Sequence, residues 1–418
     1  MTITLTRRQA LNYAMVGTAI AAMPSIAAPR KPVVGRILGI CTLDPADGWT
    51  EISSLVELDL LTGAIDYHDI GPYKFGHSLL QLPGGGYYAT PYGDDQVSAL
   101  FLDEKFRITN EVKAPKGHSY GGHSVLLPGN KHIFGLFNRI AYEEKLDPEN
   151  TGRAYLLDIE SRSVVDSKPS EVLHGHDMLV TKDRRYIVVS DDGTIETRFG
   201  DALYQNENPF SLIPGKPQLV VYDATTLEQK RKIPLDINGA VAHITEDDKG
   251  FVYGAVEQYV ANNTAGHKAL GKLLGDDTEI YINLLDQELL SETQELPYPG
   301  PLLRTNLATG NVEEQVEARN QMPFDVQFNS GTGRVFHVFT ESNTLAQFDP
   351  SRNRWVYFNT ELYGIETPYG LADIPGTNLM AINGFHDGIA LFDTSNMLMV
   401  QKFETKNFGI KHLMFEAV

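Results

Sequence analysis

Two short runs decide the fold, Ala346-Gln347-Phe348-Asp349 and Ala390-Leu391-Phe392-Asp393, whose aspartates stand 44 residues apart. Each is an apolar run that ends in a carboxylate able to start a turn by binding backbone N–H groups two and three residues on. The same theme recurs outward along the chain, ending at Asp59, Asp103, Asp158, Asp223 and Asn306. The successive intervals between the seven anchors are 44, 55, 65, 83, 43 and 44 residues. The short intervals match a four-stranded propeller blade, whose period is about 40–45 residues.

Between anchors, apolar runs alternate with turns rich in Pro, Gly, Asp and Asn. Residues 79–82 lead through Pro83-Gly84-Gly85 to residues 87–90, and residues 125–127 lead through Pro128-Gly129-Asn130 to residues 133–137. Such spacing predicts an all-β chain. With each anchor closing a third strand, residues 33–41 supply a second strand that lacks a first. The closing stretch, Gly409 to Phe415, supplies a first strand with nothing after it. Together they complete one blade and remove the open edges that a ring of sheets must avoid. The expectation is a seven-bladed β-propeller over residues 28–418, closed by its N- and C-terminal strands.

The three long intervals place insertions near 138–152, 191–216 and 257–300, each between a second and a third strand. All three should therefore crowd one face, the face on which the innermost strands begin. They hold seventeen acids against six bases, which would draw cations or a basic partner to that face. Residues 265–274 and 278–290 carry helical patterns.

The formal net charge of −19 over 418 residues argues against nucleic-acid binding, which needs basic stripes. The single cysteine, Cys41, excludes a disulfide framework and Cys-rich zinc sites, and its apolar surroundings suit a buried, inert thiol. At the start, Arg7-Arg8 precedes an uncharged apolar run and the small-residue site Ser25-Ile26-Ala27. Residues 1–27 read as a bacterial export signal, with the twin arginine pointing to the Tat route and the Sec route as the alternative. The expected product is a periplasmic protein with no stable membrane insertion after cleavage.

Histidine is where the pattern becomes specific. His77, His123, His176, His243 and His412 stand at the starts of five predicted innermost strands, while Asp325 and Gly370 hold the matching places in the other two. These positions converge on the mouth of the central channel, and neutral imidazoles are common transition-metal ligands. Two roles are open for them: ligands for a metal such as iron or copper, or structural groups satisfying backbone around the channel. His118, His174, His386 and Asp387 are candidates for supporting groups, whereas His68, His132, His267 and His337 stand apart from the pattern. No nucleophile elbow, phosphate-binding Gly loop, haem attachment motif or calcium loop occurs.

Several segments resemble the bacterial exported proteins of domain-of-unknown-function family 1513. They are the Gly-His pairs followed by an apolar strand and a Pro-Gly-Asn turn, residues 192–197, residues 217–223, and Ala242-His243-Ile244-Thr245-Glu246-Asp247 leading to residues 254–259. The resemblance implies a Tat-like leader, a propeller, and an envelope protein encoded beside imelysin-like and other iron-uptake components. The chain departs from the family pattern at Arg198-Phe199, where His-Pro is usual, and in a longer 257–300 insertion.

Three functions follow as expectations. The first is a periplasmic accessory protein of metal uptake that binds a metal ion or small ligand through the histidines, with Asp325 as a further ligand. The second is an enzyme, because iron-dependent carotenoid-cleaving oxygenases also hold a metal with four histidines on a propeller axis and His176-Asp177 resembles them. The third is a protein-interaction scaffold that presents the acidic insertions.

Overall fold

The computed structural model describes residues 33–41, 51–74, 76–91, 98–141, 152–192, 195–197, 211–213, 217–237, 239–261, 281–283, 302–314, 323–340, 343–384, 387–406, 410 and 412–417. Residues 1–27, expected to be an export signal, His267, His386 and most of the three insertions lie outside them. The described strands form seven four-stranded antiparallel blades, so the chain is an all-β, seven-bladed propeller. Its first blade takes its inner strand from Leu413–Glu416, followed outward by Arg36–Cys41, Glu51–Asp59 and Ile65–Lys74. Closure by both ends of the chain is therefore as the sequence predicts. The inner strands of the second to seventh blades are Gly76–Gln81, His118–Leu126, Gly175–Val180, Gly239–Glu246, Pro323–Asn329 and Pro368–Asp373.

Composition shifts outward across each blade. In the seventh, Leu379–Gly384 and Ile389–Asp393 are buried throughout, whereas the outer strand Leu398–Phe403 is mostly exposed. The fourth blade ends likewise in Gln229–Pro234, QKRKIP, with only Ile233 buried. Second and third strands are covered on both faces by neighbouring blades, so they read as continuous apolar runs. Apolar clusters fill the gaps between blades. Tyr88 and Phe101 of the second meet Ile133, Phe137 and Tyr155 of the third, and Phe336 and Leu345 of the sixth meet Met380 and Phe392 of the seventh. Each such side chain contributes about 1.5–3 kcal/mol, so cohesion resides between blades as much as within them.

The seven anchors do the local work their chemistry predicts. Asp59, Asp103, Asp158, Asp223, Asn306, Asp349 and Asp393 each accept backbone N–H bonds from the turn that follows the third strand. They hold turns and are remote from any ligand role.

The closing blade carries a polar clasp. Arg36 on the second strand donates to Glu416 Oε2 (2.7 Å), to Glu57 Oε1 (2.5 Å) and to the Tyr87 hydroxyl. Glu416, on the C-terminal strand, also accepts from Tyr87 (2.6 Å) and Gln81 (2.5 Å) of the second blade. His68 completes the cluster through Glu57 (2.7 Å), so this histidine belongs to the clasp. Burial, then the bond to Glu416, push the Tyr87 hydroxyl above its usual range.

The insertions meet one another. Ile195–Thr197 runs parallel to the end of the long third-blade strand His132–Ala141, pairing Glu196 with Ile140. It forms a hairpin with Ser211–Ile213, which pairs with Tyr281–Asn283, which in turn pairs with the fifth-blade strand Phe251–Ala261. Backbone pairing thus links the third blade to the fifth across all three insertions, on the face where inner strands begin. Pairing of second with third strand stops at Phe137/Arg153 in the third blade and at Ala255/Leu302 in the fifth, while the second strands themselves run on to Ala141 and Ala261. One expectation is corrected. Residues 281–283, expected within a helix, form a strand, because pairing on both edges outweighs local helical periodicity. Residues 265–274 lie outside the described set.

Candidate metal centre

The inner strands share a device that brings their first side chains to the axis. In the second to seventh blades, pairing with the neighbouring strand shifts register at the same level. The shifts fall at Gly76/Ser78, Tyr120/Ser124, Gly175/Met178, Val241/His243, Pro323/Val326 and Pro368/Leu371. His77, His123, His176 and Asp325 fall inside these bulges and His243 at the edge of one. A bulge takes a residue out of the ladder and re-aims its side chain, here toward the channel. Second-strand side chains take up freed backbone donors: Ser190 Oγ accepts from Asp177 N (2.9 Å) and Asn383 Oδ1 from Gly370 N (3.1 Å).

The result is a buried imidazole cluster. One ring nitrogen each from His77, His123, His176 and His243 lie within 4.8 Å of one another. His412, just ahead of the C-terminal strand, joins them: its Nε2 lies 3.1 Å from His243 Nε2 and 3.2 Å from His77 Nε2. Both separations are hydrogen-bond distances between ring nitrogens, so His412 packs directly against the four-histidine group. Asp325, two per cent exposed, stands behind it with Oδ2 3.9 Å from His412 Nδ1. That carboxylate is held by the N–H groups of Val326 (2.7 Å) and Leu371 (2.8 Å). Asp325 therefore supports His412 and staples the sixth blade to the seventh.

The rings are poised as donors. The Phe324 carbonyl can only accept, so His243 carries its proton on Nδ1 and presents a bare Nε2 to the cluster. On His123, Nδ1 faces Asp177 Oδ1 at 3.3 Å, while Nε2 is buried without a hydrogen-bond partner among the described residues. A buried polar atom left in this way costs about 1–3 kcal/mol unless something binds it. Burial, then repulsion among the rings, hold His77, His123 and His176 well below the imidazole range, and His243 goes down to about 3. Burial likewise lifts Asp177 up to about 8, so its contact with His123 joins neutral groups at pH 7. Neutral imidazole is the form that binds metal.

Asp177 is the supporting residue whose role the sequence did not specify. Its Oδ2 accepts from Ile244 N of the next blade (2.9 Å), repeating the Asp325 staple. His174 forms a buried pair with Asp192 (3.0 Å) beside the cluster, and His118 is buried in the strand that carries His123. Asp387 instead accepts from Glu366 N in a turn. His337 is fully buried, and burial pushes it down to about 3.

Below the histidines runs a cavity of about 590 Å³ that follows the inner strands. His123, His243 and His412 line its inner end, and Lys182, Glu246, Ser330 and Asp373, near the far ends of the same strands, line its outer end. It leads away from the face that carries the insertions.

The chain resembles a solved protein structure from Lactobacillus plantarum, with a TM-score of 0.58 and 14% identity over 92% of this chain and 100% of that one. It also resembles Kuenenia stuttgartiensis hydrazine synthase, with a TM-score of 0.54 and 11% identity over 90% of this chain and 99% of that one. At these identities the likeness bears on the fold alone. No protein-family model matches the chain, and no curated protein matches it in sequence. Among the described residues, no helix is long and apolar enough to cross a membrane.

Proposed function

We propose that this propeller binds a transition-metal ion at its axis, through His77, His123, His176, His243 and His412, as an accessory protein of metal acquisition. The observation that carries the reading is the convergence of buried, neutral imidazoles, one of them with an orphaned Nε2. All-nitrogen donor sets suit iron, copper, zinc or nickel, and iron and copper are the ions we favour. Asp325 and Asp177 act behind the ligands, orienting rings as outer-shell carboxylates do. Export to the periplasm and partnership with imelysin-like envelope proteins are supported by the Arg7-Arg8 leader and by the family resemblance. A catalytic reading, dioxygen chemistry at an iron centre, draws support from the cavity that reaches the histidines.

The test is metal analysis of the protein purified from its native envelope, alongside His176→Ala/His243→Ala. One tightly held ion per chain, lost in the double variant while its β-sheet spectrum persists, is the expected result. A wild-type protein that takes up no iron, copper, zinc or cobalt would overturn the reading. Dioxygen consumption by the iron-loaded protein would favour the enzyme over the accessory role.

A further inference from the structure

Resting on that metal-binding reading, we propose that the ion reaches the histidines through the axial channel, from the face opposite the insertions. The cavity joins two ends of the same strands. From His176 to Lys182 the chain advances six residues, a path of roughly 20 Å at about 3.3 Å per residue. Its volume of about 590 Å³ holds roughly 20 waters at about 30 Å³ each, enough for a cation that keeps its hydration shell.

The walls suit such a passenger. Each inner strand pairs with a neighbour on one edge only, so its other edge turns backbone N–H and C=O groups toward the channel. Cross-blade side chains take a few of these, as Asp177 takes Ile244 N and Thr245 takes Phe328 N. The remainder add polar groups to a lining whose side chains include Met178, Leu371 and Met414.

Charge favours a cation along the whole route. Glu246 and Asp373 flank the outer end, and Asp325 stands beside the histidines, where the neutral Asp177 adds only a polar group. Lys182, the one cationic side chain among the described lining residues, is engaged by Asp248 (2.6 Å) and lies over the Phe328 ring. A lumen of one sign between low-dielectric walls concentrates counter-ions. His123, His243 and His412 turn toward this lumen and His77 and His176 do not, so an arriving ion meets the first three before the others.

The test plugs the channel after folding. Ser330 is exposed at the outer end, and Cys41 is fully buried with its thiol pushed up to about 12 by burial. Ser330→Cys therefore offers a single reactive thiol for a polyethylene-glycol maleimide. Ser161→Cys, on an exposed turn of the third blade, carries the same label as a control. Cobalt(II) capture and its release to a chelator are followed by absorption. Labelling Ser330→Cys should slow both rates about tenfold and leave the ratio, hence the Kd, unchanged, because a plug alters the path and not the end states. Labelled Ser161→Cys should match its unlabelled form. Glu246→Gln/Asp373→Asn, unlabelled, should slow capture and flatten its dependence on salt. Equal rates in labelled and unlabelled Ser330→Cys would overturn the route while leaving the metal centre intact. A wild-type protein that captures no cobalt would overturn the centre and the route together.

Discussion

Replacing Glu416 by Ala should open the propeller at its seam. This carboxylate is only eight per cent exposed and accepts from Arg36 Nε (2.7 Å), Tyr87 (2.6 Å) and Gln81 (2.5 Å), so one strand end is tied to two blades. Hydrogen bonds to a charged group are worth about 1.5–3 kcal/mol each. Their simple sum overstates the loss, because Arg36 keeps Glu57 and its side chain is 21% exposed to water. Breaking a buried pair from one side costs about 3–5 kcal/mol, and the remaining partner brings the expected loss to about 3 kcal/mol. Glu416→Gln keeps an acceptor and loses the charge, so about half that loss is expected. Equilibrium urea unfolding, read as a shift in midpoint at constant slope, measures both. A cycle with Arg36→Met should return a coupling of about 2 kcal/mol. The C-terminal strand also carries His412 to the cluster, so Glu416→Ala should weaken cobalt binding although it touches no ligand. A loss below about 1 kcal/mol, or a coupling near zero, would refute the clasp as the lock of the ring.

Three other outcomes are expected. Asp373, which is held up to about 6 by burial, penalises folding once ionised. The sign follows from a folded value above the unfolded 3.8: the penalty is absent well below 3.8, grows as pH rises to about 6 and is constant above. Asp373→Asn should therefore stabilise by about 1–2 kcal/mol at pH 7.5, discounted for partial exposure, and hardly at all at pH 4, by urea midpoints at both. Neither ring nitrogen of His337 has a hydrogen-bond partner among the described residues, so His337→Leu should raise stability by about 1 kcal/mol; a clear loss would mean the ring is polar for a purpose. A Cβ at Gly135 would stand 2.3 Å from the Tyr155 ring, which stacks on Phe137. Gly135→Ala should cost about 1–3 kcal/mol in thermal or urea unfolding.

The ring was readable from the chain because its anchors obey a chemical requirement. A turn that needs a side-chain acceptor for the N–H groups just beyond the strand favours Asp or Asn, and that preference repeats in every blade. Closure was readable for a similar reason, since an unmatched second strand at one end calls for an inner strand at the other. The convergence of His77, His123, His176 and His243 also followed from position, because inner strands share an axis. What the sequence did not reveal depends on contacts between distant segments. Glu416 meets Gln81 and Tyr87 more than three hundred residues away. Residues 195–197 and 281–283 become strands through pairing, not through local preference. The bulges involve no residue type of their own, since the shift occurs at Gly76/Ser78 as at Pro368/Leu371.

Those bulges separate what the ring is from what it holds. A residue displaced from the ladder carries no backbone-to-backbone ladder bond, so exchanging its side chain leaves that ladder untouched. Around the axis the bulges thus offer a set of sockets at one height, three filled by His77, His123 and His176, one by Asp325 and one by Gly370, which brings no side chain at all, with His243 at the edge of a further bulge and His412 ahead of its strand. Donors can be added or withdrawn socket by socket while the apolar seams between blades stay as they are. At the imidazole positions the same wheel can therefore be retuned from one ion to another, or to none, by substitutions that leave the ladders alone, whereas Asp325 is tied to the fold by its staple to Leu371 N.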